Sequence, residues 1–201
     1  MSLSFKQYRA IDLAILAVIL AAAEALTACA AVKWFPMELY TLSSTIAVVC
    51  IVMMRWGGYA AIHAFVGGAA FCIASGATPA QFAVYCIGNC FMLLALILFK
   101  AFGKDKIKER YYLTIVFVIA ADFGAQIGRW LVGLIFGAPI DSIVGFLTTD
   151  SLSLLFAVVV VLISRRIDGL FEDQKSYLIR TESERKRQRM QDGANDRDIP
   201  E

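Results

Sequence analysis

Five ionisable side chains, Glu24, His63, Asp122, Arg129 and Asp150, fall inside otherwise apolar stretches of this sequence, with polar Tyr85, Asn89 and Gln126 in similar surroundings. A charge in an apolar environment is costly unless it is paired, hydrated or used, so each of these groups marks a candidate site. Asp122, Gln126 and Arg129 follow i, i+4, i+7 spacing and share one face of a helix, while Tyr85 and Asn89 are one turn apart on another. The guanidinium of Arg129 suits a carboxylate or phosphate held by two parallel hydrogen bonds. The competing role is structural: Arg129 pairs with Glu24, Asp122 or Asp150 and locks the helices together. His63 reads as a hydrogen-bonded core histidine. Gln81 reads as a helix cap, because Thr78-Pro79-Ala80-Gln81 places a capping hydroxyl, a proline at the first helical position and a glutamine at the third. No nucleophile–base pair, phosphate loop or metal-ligand cluster is recognisable, and nothing argues for an enzyme or a cofactor in this chain. Cys29, Cys50, Cys72, Cys86 and Cys90 are scattered without a CxxC pair and read as small buried hydrophobes.

The elements that must position these groups follow from composition. Of 201 residues, 59% are hydrophobic and 18% charged, and the charge concentrates from Arg165 onward. A bilayer core about 30 Å thick needs roughly 20 apolar residues per helix. Continuous Ala-, Leu-, Ile- and Val-rich runs, rather than short alternating strands, exclude a transmembrane β-barrel. The sequence therefore predicts an all-α membrane protein, a bundle of six transmembrane helices over residues 10–164. The spans run from Ala10 to Val32, Met37 to Met54, Gly58 to Ala74, Pro79 to Phe99, Tyr112 to Phe136 and Asp141 to Ile163. Pro36, Gly57-Gly58, Gly76, Pro79, Gly137 and Pro139 punctuate them. With a rise of about 1.5 Å per residue, Glu24, Tyr85, Asp150 and Arg129 stand ~21, ~22, ~21 and ~25 Å above the cytoplasmic ends of their helices. They meet at one level in the outer half, as a pocket open to the outside requires. Trp34 and Tyr40, flanking the loop after the first helix, read as interfacial belt or as the lid of such a pocket.

Lysine and arginine placement sets the orientation. Lys6, Arg9, Arg55, Lys100, Lys104, Lys106, Lys108, Arg110, Arg165 and Arg166 fall on one side and Lys33 alone on the other, so both termini are expected in the cytoplasm of a cell-membrane protein. Lys6 and Arg9 before an apolar run, with Leu26-Thr27-Ala28-Cys29 beyond, imitate a signal peptide. Glu24 inside the apolar region argues for an uncleaved helix instead. Residues 1–9 form a cytoplasmic N-terminus. The segment 165–191 reads as a charged, partly amphipathic cytoplasmic helix, through Ile167, Leu170, Phe171, Tyr177 and Leu178. Its Arg185-Lys186-Arg187-Gln188-Arg189 run suits anionic headgroups, or simply a solvated helix. Residues 192–201 are expected to be disordered.

Ala10, Ala14, Ala17, Ala21 and Ala25 give overlapping small-xxx-small spacings along the first helix, a smooth ridge on which another helix can pack closely. Together with six helices, cytoplasmic termini and this length, that ridge resembles the S components, the substrate-binding subunits of energy-coupling-factor (ECF) transporters. The stretches Met53-Met54-Arg55-Trp56-Gly57-Gly58 and Ala74-Ser75-Gly76-Ala77-Thr78-Pro79 also look like uncharacterised members of that family. The resemblance implies capture of a vitamin or related micronutrient in an outward-facing pocket. It also implies docking of the alanine face on a transmembrane coupling subunit, with ATP used by partner ATPase subunits. Neither a nucleotide motif nor a signature for one vitamin is present. A second reading is an MreD-like membrane scaffold subunit of cell-wall machinery; a third is a small ion-coupled carrier using Asp122 and Asp150.

Overall fold

The central element is α2 (Thr45–Trp56), a helix apolar on all sides with ten of its twelve residues buried, as an all-round hydrophobic helix must be. Around it a computed structural model, which describes residues 4–34 and 42–195 with side chains to 188, arranges only helices. These are α1 (Phe5–Trp34), α3 (Ala60–Ser75), α4 (Pro79–Asn89), α5 (Ile97–Phe102), α6 (Lys104–Glu109), α7 (Tyr111–Ile135), α8 (Ser142–Thr149), α9 (Ser151–Ser164) and α10 (Gln174–Asn195). A 3-10 stretch, Cys90–Leu96, joins α4 to α5, so that Pro79–Phe102 forms one apolar rod. Met53, Met54, Met92 and Phe117 are fully buried in the core shared by α2, α7 and the 3-10 stretch.

Among the described residues, four helical segments are long and apolar enough to cross a membrane: Phe5–Trp34, Thr45–Ser75, Pro79–Phe102 and Tyr111–Ile135. A fifth is added if α8 and α9, bent by 41°, make one span. The chain is thus a multi-pass helical membrane protein. The 31-residue segment Thr45–Ser75 counts once in that tally, yet it doubles back. Gly57 takes φ 62°, a conformation that glycine adopts without a side-chain penalty, and a Cβ added at Gly67 of α3 would collide with the Thr45 side chain.

Several boundaries differ from expectation. The second helix begins at Thr45 rather than Met37; residues 42–44 precede it without helix, and 35–41 lie outside the described residues. The expected sixth span is broken at Asp150, which ends α8 and caps α9. Residues 165–173 are turns rather than the start of an amphipathic helix, and Phe171 and Gln174 are fully buried against the bundle. The α10 helix then runs beyond Asp192 to Asn195. The other spans fall within a few residues of their predicted ends.

Helix α1 is peripheral: 17% of its most apolar stretch is buried, against 61% for Thr45–Ser75. Its inner face, Leu13, Leu20, Glu24 and Ala28, packs chiefly on α3. The opposite extreme is α4 on α7, where a Cβ on Gly88 would stand 2.7 Å from Arg129 Cα and one on Gly124 would meet the Phe91 carbonyl at 2.5 Å. Only hydrogen at these positions lets the two backbones touch, and that contact seats Arg129 beside Asn89.

Candidate functional site

Two carboxylates of α1 hold α2 at its two ends. Thr45 N–H, at the start of α2, has one longer local acceptor, Ser43 Oγ at 3.2 Å. Glu24 Oε1 is the closer one, taking Thr45 N–H at 2.6 Å, Thr45 Oγ1 at 2.8 Å, Ser43 Oγ at 2.7 Å and Ser44 Oγ at 3.1 Å. A carboxylate there answers both the orphan amide and the positive end of the helix dipole. Glu24 is fully buried, and its second oxygen, Oε2, has no hydrogen-bond partner among the described residues.

From this cap a polar chain runs across the bundle. Ser43 N–H donates to Ser153 Oγ at 3.0 Å, and Ser153 bonds Asp150. Asp150 Oδ2 accepts from Arg129 Nη1 at 2.5 Å and from Gln126 Nε2 at 2.7 Å. Arg129 Nε donates to Asn89 Oδ1 at 2.8 Å, and its guanidinium lies 5.0 Å from the centre of the Tyr85 ring, within cation–π range. Gln126 also donates to Asp122 at 3.1 Å. Every polar residue of this chain except Tyr85 is buried.

The chain closes around a cavity of about 20 Å³ lined by Ser43, Thr45, Tyr85, Asn89, Arg129 and Asp150, room for about one water molecule. Gly67 and Gly68 form part of its wall. The break between α8 and α9 falls at Asp150, on this cavity. Non-helical backbone at membrane depth is tolerated where it is buried in protein or lines a cavity.

Six of the residues singled out in the sequence, Glu24, Tyr85, Asn89, Gln126, Arg129 and Asp150, therefore belong to one connected cluster, with Asp122 at its edge. Arg129 pairs with Asp150 rather than with Glu24 or Asp122. Trp34 stands at the exposed end of α1, 74% accessible, outside the cluster; Tyr40 lies outside the described residues. Gln81 caps α4 in a reciprocal box with Thr78, and His63 Nε2 meets the Leu13 carbonyl at 3.0 Å. Cys50, Cys72 and Cys86 are buried and Cys29 is exposed. Of the alanines, Ala10 and Ala14 are exposed, while Ala17, Ala21 and Ala25 are half-buried.

A second cluster, at the basic end of the bundle, escaped the sequence reading. Arg55 grips Asp12 through Nε at 3.0 Å and Nη2 at 2.7 Å, and Trp56 Nε1 donates to the same carboxylate at 2.5 Å. Arg55 Nη1 donates to the carbonyls of Gly169 and Leu170 at 2.5 and 3.2 Å. Gln174 ties that turn to α1 by accepting from the Tyr8 hydroxyl at 3.1 Å. Beside it Lys108 pairs with Glu172, and Lys104 with Asp173 at 2.6 Å. Burial alone would raise the Glu172 carboxyl, but the hydrogen bond and charge of Lys108, with Arg180, outweigh it and hold it below its ordinary value. Lys104 and the Ser176 and Lys175 amides do the same for Asp173, against the upward push of burial. Asp12 sits near the start of α1 among charged neighbours, so no apolar surroundings single it out in the sequence.

Comparison with known proteins yields no relative: no family model matches the chain, no curated protein matches its sequence and no solved structure matches its fold. What fold and cluster define together is a multi-pass helical membrane protein with a buried polar cluster around a small cavity, opposite a basic end.

Proposed function

We propose that this protein is the solute-capturing subunit of a membrane importer, of the ECF S-component type, with a six-helix bundle and both termini in the cytoplasm. The observation that carries the reading is the break at Asp150. A discontinuous span whose half-helix end meets a buried Arg, Gln and Asn beside a half-buried Tyr is how many transporters build a solute site. A purely structural ion pair needs no such break. The cluster lies in the half of the bundle opposite the basic end, and the positive-inside rule puts that half outward. Arg129 stands ~27 Å along α7 from Tyr111.

The cavity as closed holds only about 20 Å³, so capture of a micronutrient requires the segment carrying Ser43 and Thr45 to part from α4 and α7. Glu24, Tyr85, Asn89, Gln126, Arg129 and Asp150 then line the site. Helix α1, attached along one face, carries the docking ridge for a coupling subunit, whose ATPase partners supply the energy. Ala10 and Ala14, both exposed, are its core. The closed cavity also suits the ion-coupled carrier reading, in which Asp122 and Asp150 handle a small ion and no partner is needed.

Affinity purification from the native membrane separates the two. Co-purification of a coupling subunit with ATPases, abolished by Ala14→Phe while solute binding persists, is the expected result. Uptake by the chain alone in proteoliposomes, unaffected by Ala14→Phe, would contradict it.

A further inference from the structure

Charge within the cluster is unbalanced. Among the described residues Arg129 is its one cation, and Asp150 takes it in an ion pair. Among the described residues neither Glu24 nor Asp122 has an ion-pair partner, although both are buried. The segment 35–41, Phe-Pro-Met-Glu-Leu-Tyr-Thr, lies outside the described residues and contains no lysine or arginine. Lys33 is exposed and stands ~13 Å along α1 from Glu24. One oxygen of Glu24 takes four donors while Oε2, fully enclosed, takes none among the described residues. Two carboxylates at membrane depth without a counter-charge are expensive, and an arriving cation recovers that cost.

The cavity wall fits the same sign. Phe71 and Tyr85, with ring centroids 4.9 Å apart, border it, and the Tyr85 face already carries the Arg129 guanidinium. An aromatic face attracts cations. Among the described residues no group of three His, Cys, Asp or Glu side chains could hold a metal ion. An anion, by contrast, would have to displace Asp150 from Arg129 and then face Glu24 and Asp122.

We infer that the captured solute is an organic cation, an ammonium or amidinium group on a small apolar or aromatic body, rather than the carboxylate or phosphate that Arg129 alone suggests. This rests on the capture reading above. Arg129 then acts by holding Asp150 in place, and Glu24 and Asp122 supply the attraction.

The test is thermal stabilisation of the full chain in nanodiscs by three probes sharing one ring, benzylamine, benzyl alcohol and benzoate, with sodium chloride at matched ionic strength. Benzylamine is expected to raise Tm in a saturable way, and benzyl alcohol and benzoate are not. Glu24→Gln and Asp122→Asn are each expected to weaken the amine about tenfold, by removing one nearby charge; two variants guard against loss of the helix cap in the first. Saturable stabilisation by benzoate instead, or amine binding indifferent to both substitutions, overturns the charge assignment and leaves capture standing. An effect of sodium equal to that of the amine replaces the organic cation with a monovalent ion. Stabilisation by none of them overturns the capture reading together with this inference.

Discussion

The pairing of Arg129 with Asp150 determines how much of the cluster is scaffold and how much is binding surface. Both groups are nearly inaccessible, 5% and 3% exposed, so removing either one strands the other. Breaking a buried pair costs about 3–5 kcal/mol in soluble proteins, while replacing both members together often costs little. Arg129→Gln and Asp150→Asn should therefore each lower thermal stability in detergent by about that amount, and the double variant by much less than the sum. A double-mutant cycle with additive losses would show that the two act independently. The acids at the basic end make a separate prediction. Glu172 and Asp173 are held below their ordinary values in the folded chain, so they stabilise the docked turn fully above the ordinary carboxylate range. That contribution fades as pH falls through the depressed folded values. Amide protection factors in residues 165–180, corrected for the intrinsic pH dependence of exchange, should therefore fall below about pH 4, before the apolar bundle loosens. Protection unchanged down to about pH 2 would contradict the pairing.

Helices were legible in the sequence where length and apolarity decide them, as in α1, α4 and α7. They were misjudged where a side chain from elsewhere sets the boundary. The start of α2 depends on Glu24 arriving from α1 to take the Thr45 amide, and no local signal in Leu-Ser-Ser-Thr announces that. The break before α9 falls at Asp150, which meets Arg129 in a contact between elements that hydropathy does not register. Depth counting along ideal helices nevertheless brought Glu24, Tyr85, Arg129 and Asp150 to one level, because rise per residue is nearly constant. It did not show that Arg129 is already partnered. The turn after α9 is the element most exposed to a single change. Arg55 is its anchor, joined to Asp12, Gly169 and Leu170. Arg55→Ala should release 165–180 to proteolysis and cost about 3 kcal/mol, whereas the sequence reading of that segment as a surface helix expects no effect. Limited proteolysis with and without the substitution distinguishes the two.

At the scale of the molecule, two charged assemblies occupy opposite ends of an apolar bundle, and α1 reaches both with Asp12 and Glu24. Between them α1 offers lipid or a partner an almost unbroken apolar face, with Ile15, Val18, Ile19 and Leu26 more than half exposed. A helix held by α2 at two carboxylates and otherwise packed on α3 leaves its outer face off the core, as the proposed docking on another subunit requires. That reading depends on the cluster being a solute site. The most direct measurement is mass spectrometry of small molecules released on denaturing the full chain, with wild type and Asp150→Asn purified in parallel. A near-stoichiometric solute from the wild type, at least about tenfold depleted in the variant, is the expected result. Equal recovery from both proteins, or none from wild type isolated from cells grown in rich medium, would contradict it.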